Sequence, residues 1–229
     1  MTFYKVTTAS GEPCHGGSGN WSLPTDEPGE WRSVKGKLVA CQRGLHVVTA
    51  AQLSRWVKLD AVVWEVEAQG VIDAGDKHVA RKARLVRRVG VLDRHTLITF
   101  AADCAERVLP IFERKYPKDD RPRKAIETLR RWLVGEATEK ELRQVAADAA
   151  YAAADAADAD AAYAAYAAYA AYAAYAYADA AYAYAAYADA AAAAAAYAAA
   201  AYAAARLQER EWQGARLLEL LAAQEAVAA

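Results

Sequence analysis

Between Glu136 and Gln213 this 229-residue chain has neither proline nor glycine, and between Tyr151 and Tyr202 it has no lysine or arginine either. The first absence removes the residues that interrupt helices and make turns, so nothing local forces the backbone out of a helix there. Cysteine is scarce as well. Cys14, Cys41 and Cys104 are an odd number at irregular spacing, which argues against a disulfide framework and fits free thiols in a reducing compartment. No apolar run of useful length lies between Met1 and Asn20, so no signal peptide is expected and the expected location is the cytoplasm. P-loop, GxGxxG, HExxH and GxSxG motifs are all missing, which is weak evidence against an enzyme.

Alanine and tyrosine fill the gap. Twelve of the 14 tyrosines lie between Tyr151 and Tyr202, among alanines and six aspartates counted from Asp148. Alanine has the best helix propensity of any residue, so this low-complexity tract, 148–205, is expected to be helical. Tyr163, Tyr166, Tyr169, Tyr172 and Tyr175 recur every third residue. At about 100° per residue each step turns the side chain by about −60°, so the phenol rings wind around the helix and form no stripe. One straight helix from Thr138 to Gln213 would be about 114 Å long, with rings exposed on every side. Two arrangements stay open. Either short helices fold on one another, with Asp155, Asp158, Asp160, Asp179 and Asp189 as candidate N-caps, or long helices are covered by other copies in a homo-oligomer. A membrane span is disfavoured, because each of those aspartates would cost roughly 2.5–3.5 kcal/mol at the bilayer centre.

Charge is divided along the chain. Met1 to Glu136 carries 23 Lys and Arg against 17 Asp and Glu, while Ala137 to Ala229 carries 5 against 12. A basic half and an acidic half can steer an oppositely charged partner or attract each other. The densest basic run, Lys77 to Arg88, could grip a phosphate backbone, but Val79, Ala83, Leu85 and Val89 alternate as one buried face of a strand. That pattern, with the acidic C-terminal half, argues against nucleic acid as a partner.

Two modules are expected, a β-rich one at 1–92 and a helical bundle at 93–229, making the fold class α+β. Phe3 to Val6 alternates, Ala61 to Glu67 reads as a strand closed by Gly70, and Lys77 to Val89 reads as the last strand. Thr49 caps a short helix reaching Trp56, and Trp21, Trp31, Trp56 and Trp64 are read as core. From Asp93 the period becomes helical. Leu97 to Tyr116 forms one helix with Pro110 inside it, and Asp120-Arg121-Pro122 starts a second, which Gly135 ends. Thr138-Glu139-Lys140-Glu141 is a capping box for a third. Leu207, Trp212, Leu217, Leu218, Leu220 and Leu221 supply the apolar face of a last helix, which Gly214 weakens only modestly.

Cys14, His15, Cys41 and His46 could be imagined as a zinc site, but their spacing fits no common ligand pairing, so no metal is expected.

Two resemblances rest on particular residues. The run Ala101-Ala102-Asp103-Cys104-Ala105-Glu106-Arg107-Val108-Leu109-Pro110-Ile111-Phe112-Glu113, then Tyr116-Pro117, Asp119 to Glu127 and an alanine-rich tract, resembles the putative immunity protein family of alanine-rich helical domains in bacteria and phages. The resemblance covers about Phe100 to Leu221 and implies a non-enzymatic partner that neutralises a protein toxin by occluding it. On that reading the contacts are Asp103, Glu106, Arg107, Arg123 and Lys124, with Tyr166, Tyr169 and Tyr172 from the tract, and no cofactor is required. The chain departs from the family in having almost only Tyr and Asp among its alanines. The first 90 residues, through Cys41, Gly44-Leu45-His46, Trp64-Glu65-Val66-Glu67 and Gly70, resemble a phage-associated domain of unknown function. Gly44 to Leu53 is faintly similar to proteins with an ADP-ribosyltransferase-like fold. That likeness implies an alternative, an NAD-handling transferase in which His46 holds the ribose, Thr49 assists, and Glu65 or Glu67 is the acidic group. A third expectation is a self-assembling structural protein that stacks its tyrosine-bearing helices.

Overall fold

The computed structural model describes residues 1–156 and 202–228. The chain divides into two compact units: Met1–Asp93 with Gly214–Ala229, and Arg94–Gln213. The first carries an antiparallel sheet and the second is helical, so the fold is α+β.

In the sheet unit, β1 (Phe3–Thr7), β2 (Arg32–Ser33), β3 (Leu45–Val47), β4 (Val62–Asp73) and β5 (His78–Val91) form one sheet in the order β1-β4-β5-β2, with β3 also pairing to β5. Directly after β3, Val48 exchanges both backbone hydrogen bonds with Tyr4 of β1, at 2.8 and 3.0 Å. The ring β1-β4-β5-β3-β1 therefore closes on itself. Its apolar side collects Trp21, Leu45, Val47, Val62, Trp64, Val66, Ala80, Ala83 and Leu85. Along β4 these residues alternate with Val63, Glu65 and Glu67, as a pleated strand requires. The buried Trp64 indole is satisfied, its N–H donating to the Thr7 hydroxyl at 2.8 Å.

The strand does not stop at Gly70. Gly70 adopts φ +62 within β4, which continues to Asp73 before the turn to β5. Gly44 fits where no other residue would: at φ +149, an added Cβ would lie 2.0 Å from Val79 Cγ1. The tryptophans divide. Trp21 and Trp64 are core, Trp31 is 39% exposed, and Trp56 is half-buried with its indole N–H on the Asp76 carbonyl. The Arg84 guanidinium lies 4.9 Å from the centre of the Trp31 ring, so this indole covers a cation of β5. Thr49 starts α1 (Ala50–Leu53), with Gln52 Oε1 accepting the Thr49 N–H at 3.0 Å.

The helical unit contains α2 (Arg94–Lys115), α3 (Arg121–Leu133), α4 (Glu139–Asp155) and the first part of α5 (Tyr202–Ala228), whose residues from Gly214 belong to the sheet unit. Phe100 and Phe112 are the largest side chains fully buried on α2. Pro110 sits inside α2, and Pro122 sits in the first turn of α3, where a missing N–H costs nothing. Asp120 occupies the N-cap position of α3 without a side-chain cap; Asp119 accepts the Arg121 N–H instead, at 3.1 Å. Gly135 ends that region at φ +78. The Thr138 box forms with both halves in place, Glu141 Oε2 taking the Thr138 N–H at 2.7 Å and Thr138 Oγ1 taking the Glu141 N–H at 3.2 Å.

The helix begun at Thr138 leaves helical geometry at Ala156, with φ −73 and ψ 115. A single rod from Thr138 to Gln213 is thereby excluded, and Asp155 is the last residue of α4. The expectations for Asp158, Asp160, Asp179, Asp189 and the tyrosine spiral fall outside the described residues. On α5, Leu217 and Leu221 are fully buried while Leu207 is 56% exposed, so Leu207 does not belong to the apolar face expected of it. Among the described residues no helix is long and apolar enough to cross a membrane.

Candidate functional site

On α2 the residues Asp103, Glu106 and Arg107 fall within about one helical turn, and α3 brings Arg130 to them. Arg130 Nη2 donates to Asp103 Oδ1 and to Glu106 Oε2, both at 2.6 Å. Asp103 is nearly buried, whereas the Glu106 side chain is 60% exposed, so one guanidinium ties an inner carboxylate to an outer one. Arg107 turns to α5, donating from Nε to Glu209 Oε2 at 2.7 Å, with its guanidinium carbon 4.4 Å from the centre of the Trp212 ring. Glu209 also accepts from Gln213 Nε2 at 3.4 Å, and Arg210 Nη1 reaches Gln213 Oε1 at 3.4 Å. Glu209, Arg210 and Gln213 are all buried. Taking such charges out of water is costly unless each is paired and hydrogen-bonded, and this network provides the partners. Within it, burial pushes the Cys104 thiol well above its ordinary range, helped by the carboxylates of Glu209 and Asp103. Cys104 is an inert core thiol.

The outer face of α3 is different. Arg123 grips Glu113 through two bonds, at 2.6 and 2.8 Å, yet its side chain is 47% exposed. Lys124 and Asp120 pair at 3.0 Å with both side chains 60% exposed. At the start of α3, Arg121 bonds Asp119 and reaches Asp155 at 2.9 Å; the Arg121 guanidinium holds the Asp119 carboxyl below its usual range. Of the residues read from the sequence as contacts, Asp103 is engaged inward, Arg107 is bonded to the buried Glu209 with its own side chain 42% exposed, and Glu106, Arg123 and Lys124 are accessible. Tyr166, Tyr169 and Tyr172 lie outside the described residues. Arg130 and Glu209 were not among the residues read from the sequence. Arg107 and Glu209 are 102 positions apart, and no local pattern signals such a pair.

The four residues of the transferase reading are dispersed. His46, on β3, lines a cavity of the sheet unit, and its Nε2 accepts the Cys41 N–H at 3.0 Å. Burial lowers its pKa, with Lys5 and Lys77 acting in the same direction, so the ring is neutral at pH 7. Thr49 is the N-cap of α1. Glu65 pairs with Arg87 at 2.6 Å and Glu67 with Arg84 at 2.7 Å across the β4–β5 ladder, and neither lines that cavity. His15 and Cys41 do line it with His46, but no group of three or more His, Cys, Asp or Glu among the described residues could hold a metal ion.

No curated protein and no solved structure matches this chain. A family description does match, over residues 87–220, the span that contains the helical unit. The buried ion network and the capped helices fall inside that match, and on its extent the chain belongs to the Imm-5 like putative immunity protein family.

Proposed function

We propose that the chain neutralises a protein toxin by binding it stoichiometrically and occluding its working surface, without chemistry of its own. The observation that carries this reading is the family match over 87–220. Supporting it, the helical unit offers charged side chains at its surface, Glu106, Arg123 and Lys124, already oriented by partners on their own unit. Side chains held in place lose little entropy on docking. Val134, 69% exposed, and Tyr151, 66% exposed, add apolar area to the same unit. A standard interface needs about 1,600 Å² in total, and the tyrosine tract with Tyr166, Tyr169 and Tyr172 suits that role because tyrosine gives much contact area at low entropic cost.

The test is rescue. A protein captured from the native host on the full chain is expressed alone and then with the chain. The reading expects arrest of growth in the first case and restored growth in the second. The double variant Arg123→Ala, Lys124→Ala, which removes two exposed ion pairs worth at most about 1 kcal/mol each, should weaken rescue far more than it lowers thermal stability. If the captured protein is harmless alone, or co-expression leaves growth arrested, occlusion of a toxin is wrong.

A further inference from the structure

The sheet unit holds a cavity of about 460 Å³ between β1, β3 and the loop 13–18, which is within the size range of small-molecule sites. Four cationic side chains line it, Lys5, Arg32, Arg43 and Lys77, and no aspartate or glutamate does so among the described residues. Their partners are mostly uncharged. Lys5 Nζ donates to the His46 carbonyl at 3.1 Å and lies 5.6 Å from the centre of the Trp21 ring. Arg32 donates to the carbonyls of Gly19 and Ser18, at 2.8 and 3.0 Å, with its guanidinium carbon 5.0 Å from the same ring. Lys77 stands 4.7 Å over Trp56 and, among the described residues, is the one lining cation with a carboxylate, Asp76. Arg43 is exposed at the rim.

Such an arrangement has cost without compensation. Protein sites that gather cations normally answer them with carboxylates, because like charges in a partly dry hollow repel. Here tryptophan faces and backbone carbonyls orient the cations but cannot neutralise them. Burial brings the Lys5 ammonium from its usual 10.5 down to about 8, the Cys14 thiol opposing and Arg32 adding to the fall. The loop across the cavity turns through Gly16 at φ +80 and Gly17 at φ +102, with open space where a Gly16 side chain would stand. Glycines of this kind let backbone approach a bound molecule closely.

The geometry points to a binding site for a small organic phosphate of nucleoside-diphosphate size, its charged group held by Lys5, Arg32 and Arg43 and its organic portion against His15 and Trp56. Three uncompensated cations suit a group with two or more negative charges, and guanidinium forks match phosphate oxygens in pairs. A bare phosphate would leave most of 460 Å³ unfilled. The organic portion has an apolar wall at hand, where the His15 and Trp56 rings meet edge to face at 5.3 Å. This site lies within residues 4–77, outside the span of the family match, and does not depend on toxin binding.

The full chain is titrated with ADP, inorganic pyrophosphate and adenosine, and binding is read by calorimetry and by the fluorescence of the tryptophans at the site. ADP and pyrophosphate should bind, ADP the tighter, and adenosine should not. Arg43→Gln, at an exposed position, should weaken ADP by about tenfold, and Lys5→Met by at least as much. Affinity should also fall between about pH 7.5 and pH 9 as Lys5 loses its proton, a range above the last phosphate ionisation of ADP, which lies at about pH 6 to 7. The charged and titratable groups facing Lys5 are Cys14 and His15 after β1, Arg32 on β2 and His46 on β3, with Lys58, Asp76 and Lys77 near by. Absence of ADP binding at millimolar concentration, equal binding of adenosine, ADP no tighter than pyrophosphate, or ADP affinity changed by less than about twofold in both variants would each overturn the assignment.

Discussion

In the sheet unit Lys5 and Arg32 stand over the ring of Trp21 and meet only carbonyl oxygens, while in the helical unit Arg107 stands over Trp212 and reaches the carboxylate of Glu209 at 2.7 Å. Both units use an aromatic face to orient a cation. They differ in whether the charge is answered from within the fold. A cation answered internally is structural, because it compensates a carboxylate in a poorly hydrated place, Glu209 being 4% exposed. One left facing a hollow costs stability and is retained for what enters from outside. The comparison thus assigns the helical network to the scaffold and the sheet cavity to recognition.

The largest expected effect breaks the helical side of this comparison. Glu209→Ala removes the buried, charged acceptor of Arg107 and Gln213 and should destabilise the chain by about 2–3 kcal/mol in urea denaturation, the loss of hydrogen bonds to a charged group. A loss within a few tenths of a kcal/mol would mean that Arg107 simply turns to water and that the network is not structural. Next comes Gly214, where an added Cβ would lie 2.0 Å from the Ala50 carbonyl oxygen. On an exposed helix Gly→Ala is stabilising. Here Gly214→Ala should cost about 2 kcal/mol through forced separation of α5 from α1, and a gain in stability would show that the contact yields freely.

The sheet side gives the opposite sign. Lys5 binds its proton less well in the folded chain than in the unfolded one, so its charge is a penalty that is present in full below about pH 8 and relieved as pH rises to 10.5. Lys5→Met removes the penalty. It should stabilise the chain at pH 7 by about 1.5 kcal/mol, allowing for the part of the side chain that still meets water, and the gain should vanish by about pH 10.5. Destabilisation at pH 7 would show that the Lys5 bond to His46 outweighs the charge, and the contrast between the units would fail.

The helix boundaries were legible in the sequence, because caps are local. Thr138 and Glu141 are three residues apart, Pro122 and Gly135 act within a turn, and alternation along β4 exposes one face of a strand. Closure of the sheet through Val48 and Tyr4 was not legible, since a single bridge between distant residues leaves no pattern. The role of Gly214 was hidden for the same reason: a close approach to Ala50 cannot be told from an isolated weak helix former. His46 was singled out, and it does line a cavity, but the residues around it were not foreseen. Lys5, Arg32 and Trp21 lie on separate segments, and only folding places the two cations over one ring.

Acid titration sharpens the contrast by the smallest effect. In the sheet unit, burial lowers the pKa of His15, its N–H on the Trp56 carbonyl at 2.7 Å opposing and Lys5 and Lys58 adding, and burial lowers His46 with help from Lys5 and Lys77 against Asp76. Unfolding lets both rings take protons at their ordinary 6.5, so the folded sheet unit should lose stability as pH falls below that value. The helical unit follows another rule. Asp119, held low by Arg121, contributes stability that is present above its ordinary 3.8 and lost only as pH falls below it. Hydrogen exchange resolved by segment should therefore show β1 and β3 loosening as pH falls below 6.5 while α3 stays protected until pH falls below 3.8. The double variant His15→Gln, His46→Gln should abolish the early loss and leave the later one unchanged. Simultaneous loosening of β3 and α3 on acidification would mean that the two units do not hold their charges by different means.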